Sequence, residues 1–233
     1  MFVDLHIHSC LSPCADDDMT PANICGMAYI KGLEAIAVTD HNSAENLPYV
    51  EEAAKQFRLL LLPGIEITTK EEVHLLAYFD SVETALSFGR MLRQHLPHVR
   101  NNPAYFGNQI IMDENDRIVG NEDSLLIGAV DLSLNECTNL IRKVNGVAVP
   151  AHINRGANGL LVNMGMLPDD PAFGTLEIAK ALPVDSKVTE GKLILYSSDA
   201  HKLGNISEAV FNLPSDECTL QSLLSAVRNG YAT

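Results

Sequence analysis

Five short apolar runs, each closing on side chains that bind metal cations, constrain this chain more than any other feature. They are Asp4-Leu5-His6-Ile7-His8, Ala35-Ile36-Ala37-Val38-Thr39-Asp40-His41, Leu59-Leu60-Leu61-Leu62-Pro63-Gly64-Ile65-Glu66, Val147-Ala148-Val149-Pro150-Ala151-His152 and Leu193-Ile194-Leu195-Tyr196-Ser197-Ser198-Asp199-Ala200-His201. Alternate side chains of a strand share a face, so His6 and His8 can offer two imidazoles to one cation. Runs of this length suit strands or buried helix segments, and the polar residue immediately after each favours the strand. Ligands delivered at the C-terminal ends of several parallel strands converge on one face of a barrel.

The 233 residues suffice for one large α/β domain, and no linker-like stretch divides them, so a single domain over 1–233 is expected. Lys and Arg number 16 against 30 Asp and Glu, a net charge of -14. That balance predicts no binding to long nucleic acid, whose phosphates need a basic footprint. It leaves room for a small phosphorylated substrate, because bound cations reverse the field inside a cleft. No charged-then-apolar leader is visible and no run reaches about 18 apolar residues, so a cytoplasmic protein away from membranes is expected. The five cysteines form an odd set without zinc-finger spacing, and disulfides are not expected. Cys10 and Cys14 neighbour the first histidines, but no second pair completes a thiolate tetrahedron.

Along the chain, strands and helices alternate. Thr20-Pro21 opens a helix that stops at Gly32, which makes a strand, loop, helix, strand unit with the run at Ala35. Residues 48–58 are helical, with Val50, Ala53, Ala54 and Phe57 on one face. A strand over 72–79 carries His74, and a helix starts at Ser81. Residues 97–127 fit the repeat least: 109–120 reads as a hairpin around an acidic turn, a small insertion beside the active-site face. Ser133 and Glu136 have the spacing of a capping box for a helix ending near Lys143. Residues 175–179 form a short strand carrying Glu177, and 220–229 close the chain as a helix.

Six of the eight histidines, His6, His8, His41, His74, His152 and His201, sit in or beside apolar strands. One such histidine is ordinarily a core or surface residue; six together with Glu66 and Asp199 indicate metal binding. His95 and His98, at a polar helix end, read as surface residues. Asp4 shares a strand face with His6 and can accept its second ring N–H, and Asp40 precedes His41 in the same supporting way.

The strings Asp-Leu-His-Ile-His, Thr-Asp-His-Asn, Gly-Ile-Glu-Ile, Val-His-Leu-Leu-Ala-Tyr, Pro-Ala-His and Ser-Asp-Ala-His, in this order over residues 4–201, resemble the PHP family, named for polymerase and histidinol phosphatase. The resemblance implies a distorted (β/α)7 TIM-like barrel and two or three divalent metal ions (Zn, Mn or Fe) that hydrolyse phosphoesters. Carried over residue by residue, it implies one metal on His6, His8, Glu66 and Asp199, and a second sharing Glu66 and adding His74 and His152. A third takes Asp16, His41 and His201, where Asp16 rather than Asp17 or Asp18 keeps the family's distance to the Thr-Pro helix start. Glu66 is the bridge, since a carboxylate has two oxygens.

His6, His8, Glu66, Asp199 and His201 are thus the expected catalytic centre, and Arg155 on the loop after His152 can reach a phosphate with its planar fork. The chemistry expected is in-line attack by metal-activated hydroxide. A nucleotide or short oligonucleotide is the favoured substrate, because the motifs look closest to the nucleotide-processing branch. The alternatives are a histidinol-phosphate-type phosphatase and a non-catalytic metal-binding regulatory module.

Overall fold

Buried strands and capped helices follow the apolar pattern closely in the computed structural model, which describes residues 1–215 and 217–229. The strands are β1 (Val3–Ile7), β2 (Ala35–Val38), β3 (Leu60–Leu61), β4 (Gly64–Thr68), β5 (His74–Tyr78), β6 (Ile110–Met112), β7 (Ile118–Asn121), β8 (Val147–Pro150), β9 (Thr175–Glu177) and β10 (Leu193–Leu195). The helices are α1 (Pro21–Ile30), α2 (Leu47–Phe57), α3 (Val82–Arg93), α4 (Pro103–Phe106), α5 (Leu134–Lys143), α6 (Leu160–Met164), α7 (Ser186–Thr189) and α8 (Leu220–Asn229). Their starts are set by local chemistry. Thr20 accepts from the Asn23 N–H at 3.2 Å ahead of Pro21. Ser133 and Glu136 cap each other's backbone as the expected capping box.

Together the elements make a mixed α/β single-domain fold. β1, β2 and β3 form a parallel ladder, and β9 pairs parallel with β10. β4, β5 and β8 form an antiparallel ladder. Backbone contacts link the ladders: His8 N–H donates to Ala200 O (2.9 Å), His41 bridges Glu66, and Ile153 N–H donates to Glu177 O (3.0 Å). Strand alternation sorts the core. Ile36, Val38, Leu75 and Ala77 pack with α1, α2 and α3, while Ala35, Ala37, Leu76 and Tyr78 pack with Leu223 and Val227 of α8. Buried on both faces, β1, β2, β4 and β5 read as continuous apolar runs for that reason.

Two features differ from the sequence expectation. The run from Leu59 to Glu66 is not one strand: it breaks at Leu62-Pro63, where proline cannot donate to a ladder, and Glu66 lies inside the new strand β4. The run of parallel strands is also interrupted. Residues 69–73 join β4 to β5 in a turn closed by Thr69 N–H to Val73 O, too short for the dozen or more residues of a parallel crossover. β5 therefore runs backward, and its first residue, His74, stands opposite Thr68 at the end of β4. Reversal of β5 is what brings a strand-initial histidine to the end where other strands finish.

The hairpin of β6 and β7 is present and leans on the loop after β1, through Ile110 N–H to Cys10 O (2.8 Å). Gly107 (φ 100°) touches the same loop, and a Cβ there would lie 2.0 Å from Pro13 O. Among the described residues no helix is long and apolar enough to cross a membrane.

Gly64 starts β4 two residues before Glu66, and a Cβ on it would meet Thr39 Cγ2 at 2.6 Å and Tyr78 Cδ1 at 3.2 Å. Gly64→Ala is expected to cost roughly 1–3 kcal/mol by overpacking. Urea unfolding reads this as a lower midpoint at unchanged slope; a wild-type midpoint would contradict it.

Candidate metal centre

Glu66, 1% exposed, is the point at which the predicted ligands meet. His6 Nε2, His74 Nδ1 and His152 Nε2 lie 3.2, 2.8 and 3.2 Å from Oε1; His8 Nε2 and His41 Nδ1 lie 3.2 Å from Oε2. Asp199 Oδ1 stands 3.3 Å from His6 Nε2 and 3.2 Å from His8 Nε2, and the two nitrogens are 3.2 Å apart. Donor atoms at such separations are the vertices of a tetrahedron whose centre is about 2.0 Å from each, the length of a Zn–N or Zn–O bond. Three donor groups are compact enough for a cation: His6, His8, Glu66 and Asp199; His41, Glu66 and His74; and His8, His41 and His201.

A second test of fit comes from hydrogen bonding. His41 Nδ1, His74 Nδ1 and His152 Nδ1 are buried without a hydrogen-bond partner, although the first two lie at contact distance from Glu66. Buried polar atoms are rarely left so. Imidazole nitrogens close to a carboxylate yet misaligned for a hydrogen bond suit lone pairs aimed at a shared cation.

The ring tautomers are set by groups behind the donors. Glu177 receives His6 Nδ1 (3.0 and 3.1 Å to its two oxygens) and the His152 backbone N–H (2.9 Å), so His6 presents Nε2. Ser12 donates its hydroxyl to Asp40 (2.6 Å) and therefore accepts from His8 Nδ1 (2.9 Å), again leaving Nε2 for the cluster. His201 donates Nδ1–H to Asp199 O (2.8 Å). Asp4 does not support His6 as expected: its carboxylate takes the backbone N–H groups of Ser198 (3.0 Å) and Ser207 (2.9 Å). Asp40 does support a ligand, but His8 through Ser12 rather than its neighbour His41.

Glu177 and Ser12 are the functional residues that sequence reasoning passed over. Glu177 carried a usable signal, an acidic residue closing a short apolar strand. Ser12 carried none.

Proton affinities follow the same geometry. Burial alone would raise Glu66, but His74, His6 and His41 outweigh it and hold the carboxyl well below the usual carboxylate range. Burial likewise opposes protonation of His6, yet Glu177, Glu66 and Asp199 raise it well above an ordinary histidine. His8 is raised to about 9, where burial is overcome by Asp199 and Glu66. Burial, helped by the surrounding imidazoles, pushes His41 well down, and His201 falls to about 4 for the same reasons.

The remaining expected residues lie at the rim. Asp16 is outside the three donor groups: its carboxylate faces Lys202 Nζ (3.4 Å), while its backbone N–H donates to His201 O (2.9 Å). Arg155, half exposed, pairs with the second oxygen of Asp199. His95 pairs with Asp131 and His98 is exposed, both away from the cluster. Two cluster residues hold left-handed backbones, His152 (φ 27°) and Asp199 (φ 50°), a conformation uncommon for non-glycine residues.

The sequence matches the PHP domain family over residues 4–210. The chain belongs to the PHP family. Over 69 residues, 30% of this chain and 24% of the other, it is 35% identical to the 5'-3' exoribonuclease of Haemophilus influenzae. Its fold is similar to the lesion-specific endonuclease Q of Pyrococcus furiosus (TM-score 0.69, 18% identity, 97% of this chain and 55% of that one). It is also similar to a protein assigned as a metal-dependent phosphoesterase from Bifidobacterium adolescentis (TM-score 0.62, 19% identity, 98% and 96%). The chain thus spans about half of endonuclease Q and its match covers about a quarter of the ribonuclease.

Membership of the PHP family agrees with the donors assembled around Glu66, which are suited to divalent metal ions. One expectation is overturned. Endonuclease Q, with the same fold (TM-score 0.63, 19% identity, 97% of this chain and 55% of that one), has been solved on a 27-mer DNA duplex with an abasic lesion at its active site. The net charge of -14 is therefore no ground for excluding long nucleic acid. Net charge averages the whole surface, whereas binding depends on charge at the site.

Two measurements check the centre. A cation that takes His8 Nε2 must displace a proton held up to pH about 9, so metal affinity should rise as pH increases from 6.5 towards 9, with proton release visible by calorimetry in buffers of different ionisation heat. Affinity independent of pH over that range would remove His8 from the ligands. Glu177→Gln, which keeps the shape but weakens the hold on His6, should lower metal affinity by about 10–100-fold, measured by chelator competition; wild-type affinity would make Glu177 incidental.

Proposed function

We propose that this chain hydrolyses a phosphate ester of a nucleotide or nucleic-acid strand, using two or three divalent cations held among His6, His8, His41, Glu66, His74, His152, Asp199 and His201. The observation that carries this reading is one buried carboxylate, Glu66, contacted by five imidazoles through both of its oxygens. A lone cation would need only one of those oxygens. The donor groups overlap at His8, His41 and Glu66, and the carboxylate can serve two cations through its two oxygens. The mixed imidazole and carboxylate set suits Zn, Mn or Fe.

Such cations supply charge neutralisation at the phosphoryl oxygens and acidify water. The protein's own residues do the rest. Glu177 and the Asp40–Ser12 pair hold His6 and His8 with Nε2 forward, and Arg155 stands at the mouth beside Asp199 with donors for a phosphoryl oxygen. His201, neutral because its pKa is near 4, is the most exposed histidine of the cluster and borders the approach. The scaffold is read as a distorted (β/α)7 barrel, supported by the backbone links that carry β1 through β2, β4, β5, β8, β9 and β10 and back to β1. The hairpin region 97–127 is read as an insertion against the loop that follows His8. A nucleic-acid or nucleotide ester is preferred over other phosphoesters because the ribonuclease and endonuclease likenesses both point there.

Release of p-nitrophenol from p-nitrophenyl phosphate and from bis(p-nitrophenyl) phosphate, of inorganic phosphate from nucleotides, and of mononucleotides from 5'-phosphorylated oligonucleotides tests the reading, with chelated protein reloaded with Mn or Zn. Turnover should require metal and fall at least about 100-fold in His41→Ala, the range seen when a catalytic group is lost. Tight metal binding without turnover on any of these substrates would make the chain a regulatory metal-binding module instead.

A further inference from the structure

An acidic protein acting on a nucleic-acid strand needs its few cations in the right place, and three of them lie on the loops that follow β8, β9 and β10. Arg155 follows β8 and pairs with Asp199, whose other oxygen belongs to the donor group of His6 and His8. Lys180 follows β9, and the turn that carries it is tied to the loop of Arg155 by one side chain. Asn154 donates to Ala179 O (3.1 Å) and Leu182 O (2.9 Å) and accepts from the Ala179 N–H (2.9 Å), which pins the turn after β9 to the loop after β8. Positions 155 and 180 flank that clamp, one residue away on either strand end. Lys180 is exposed and has no acidic partner among the described residues. Lys202 directly follows His201; its side chain is 65% exposed and, among the described residues, its amine is opposed only by Asp16.

We infer that Lys180, Arg155 and Lys202 form a cationic rim that holds the non-scissile phosphates of a nucleic-acid strand on either side of the metal centre. This rests on the phosphoesterase reading for its meaning, but it is a claim about binding. A lysine left without a counter-ion in a chain of net charge -14 keeps its full charge for a ligand. Arg155 stands nearest the donors, so the phosphate it meets is at or next to the reacting one, and Lys180, one step outward, takes the next. Lys202, partly neutralised by Asp16, contributes less on the opposite side. The rim therefore favours a strand over an isolated phosphomonoester, since a monoester offers nothing for Lys180 to hold.

The test is fluorescence anisotropy of a labelled single-stranded phosphorothioate oligonucleotide, which keeps the backbone charge and resists cleavage, titrated with metal-loaded protein over a salt series. Each lost phosphate contact should make the slope of log K against log [salt] shallower by about 0.7, which at about 0.1 M salt is close to a fivefold weaker Kd. Lys180→Gln should show that loss, Lys202→Gln a smaller one, and Lys180→Arg, which keeps the charge, should restore the wild-type slope. Lys55→Gln, on α2 beside Glu51 and Glu52, should follow wild type. Wild-type slopes in Lys180→Gln, an equal loss in Lys55→Gln, or no salt-dependent binding by the wild type would each overturn the rim. Phosphate release from p-nitrophenyl phosphate reports on the catalytic reading separately, so the two can fail independently.

Discussion

A carboxylate buried among imidazoles is the constraint on which the rest of this structure depends. Taking an ionised Glu66 out of water is costly unless it is paired. Here the pairing is supplied by five histidines, two within β1 and β5 and three in the segments that directly follow β1, β2 and β8, so Glu66 can stay charged only when β1, β2, β4, β5 and β8 are all in register. The site and the fold are in that sense one construction. Removing an imidazole leaves charge uncompensated at the middle of the strand array, and removing the carboxylate leaves several nitrogens facing one another.

The supporting layer explains how donors meet within about 3 Å of one another without rearrangement. Glu177 reaches His6 across the fold, Asp40 reaches His8 through Ser12, and the chain itself is held in left-handed conformations at His152 and Asp199. Each of these fixes an imidazole tautomer or a side-chain direction in advance, and donors already held in place are what a metal site needs to select geometry. The reversal at β5 belongs to the same logic. It lets a residue at the start of a strand contribute where the other strands end.

Charge illustrates the difference between a sum and a place. The acidic surplus of the sequence includes Glu66, Glu177, Asp4 and Asp40, which are buried, and the partly buried Asp199, all engaged with histidines, backbone N–H groups or hydroxyls. These carboxylates attract cations to the centre rather than repelling phosphates from the surface. The cations of the rim, meanwhile, are few but stand at strand ends. A chain can therefore be strongly acidic overall and still offer a nucleic-acid strand a favourable approach.

The sequence by itself determined most of the strands, their buried character and the caps of α1 and α5, and it singled out the histidines that the fold gathers around Glu66, because apolar runs, Thr-Pro and Ser-x-x-Glu spacing, and polar residues in or beside those runs are local signals. It also supported the PHP family, through motifs spread along nearly the whole chain. Only the tertiary structure decided which donor faces which. It put His41 and His74 with Glu66, left Asp16 towards Lys202, gave His6 to Glu177 instead of Asp4, and divided the Leu59 run at Pro63. Those outcomes depend on strand direction, register and the approach of residues more than 100 positions apart, as between His6 and Glu177. A one-dimensional pattern reports which face a side chain takes, but carries no term for the partner that arrives from another strand.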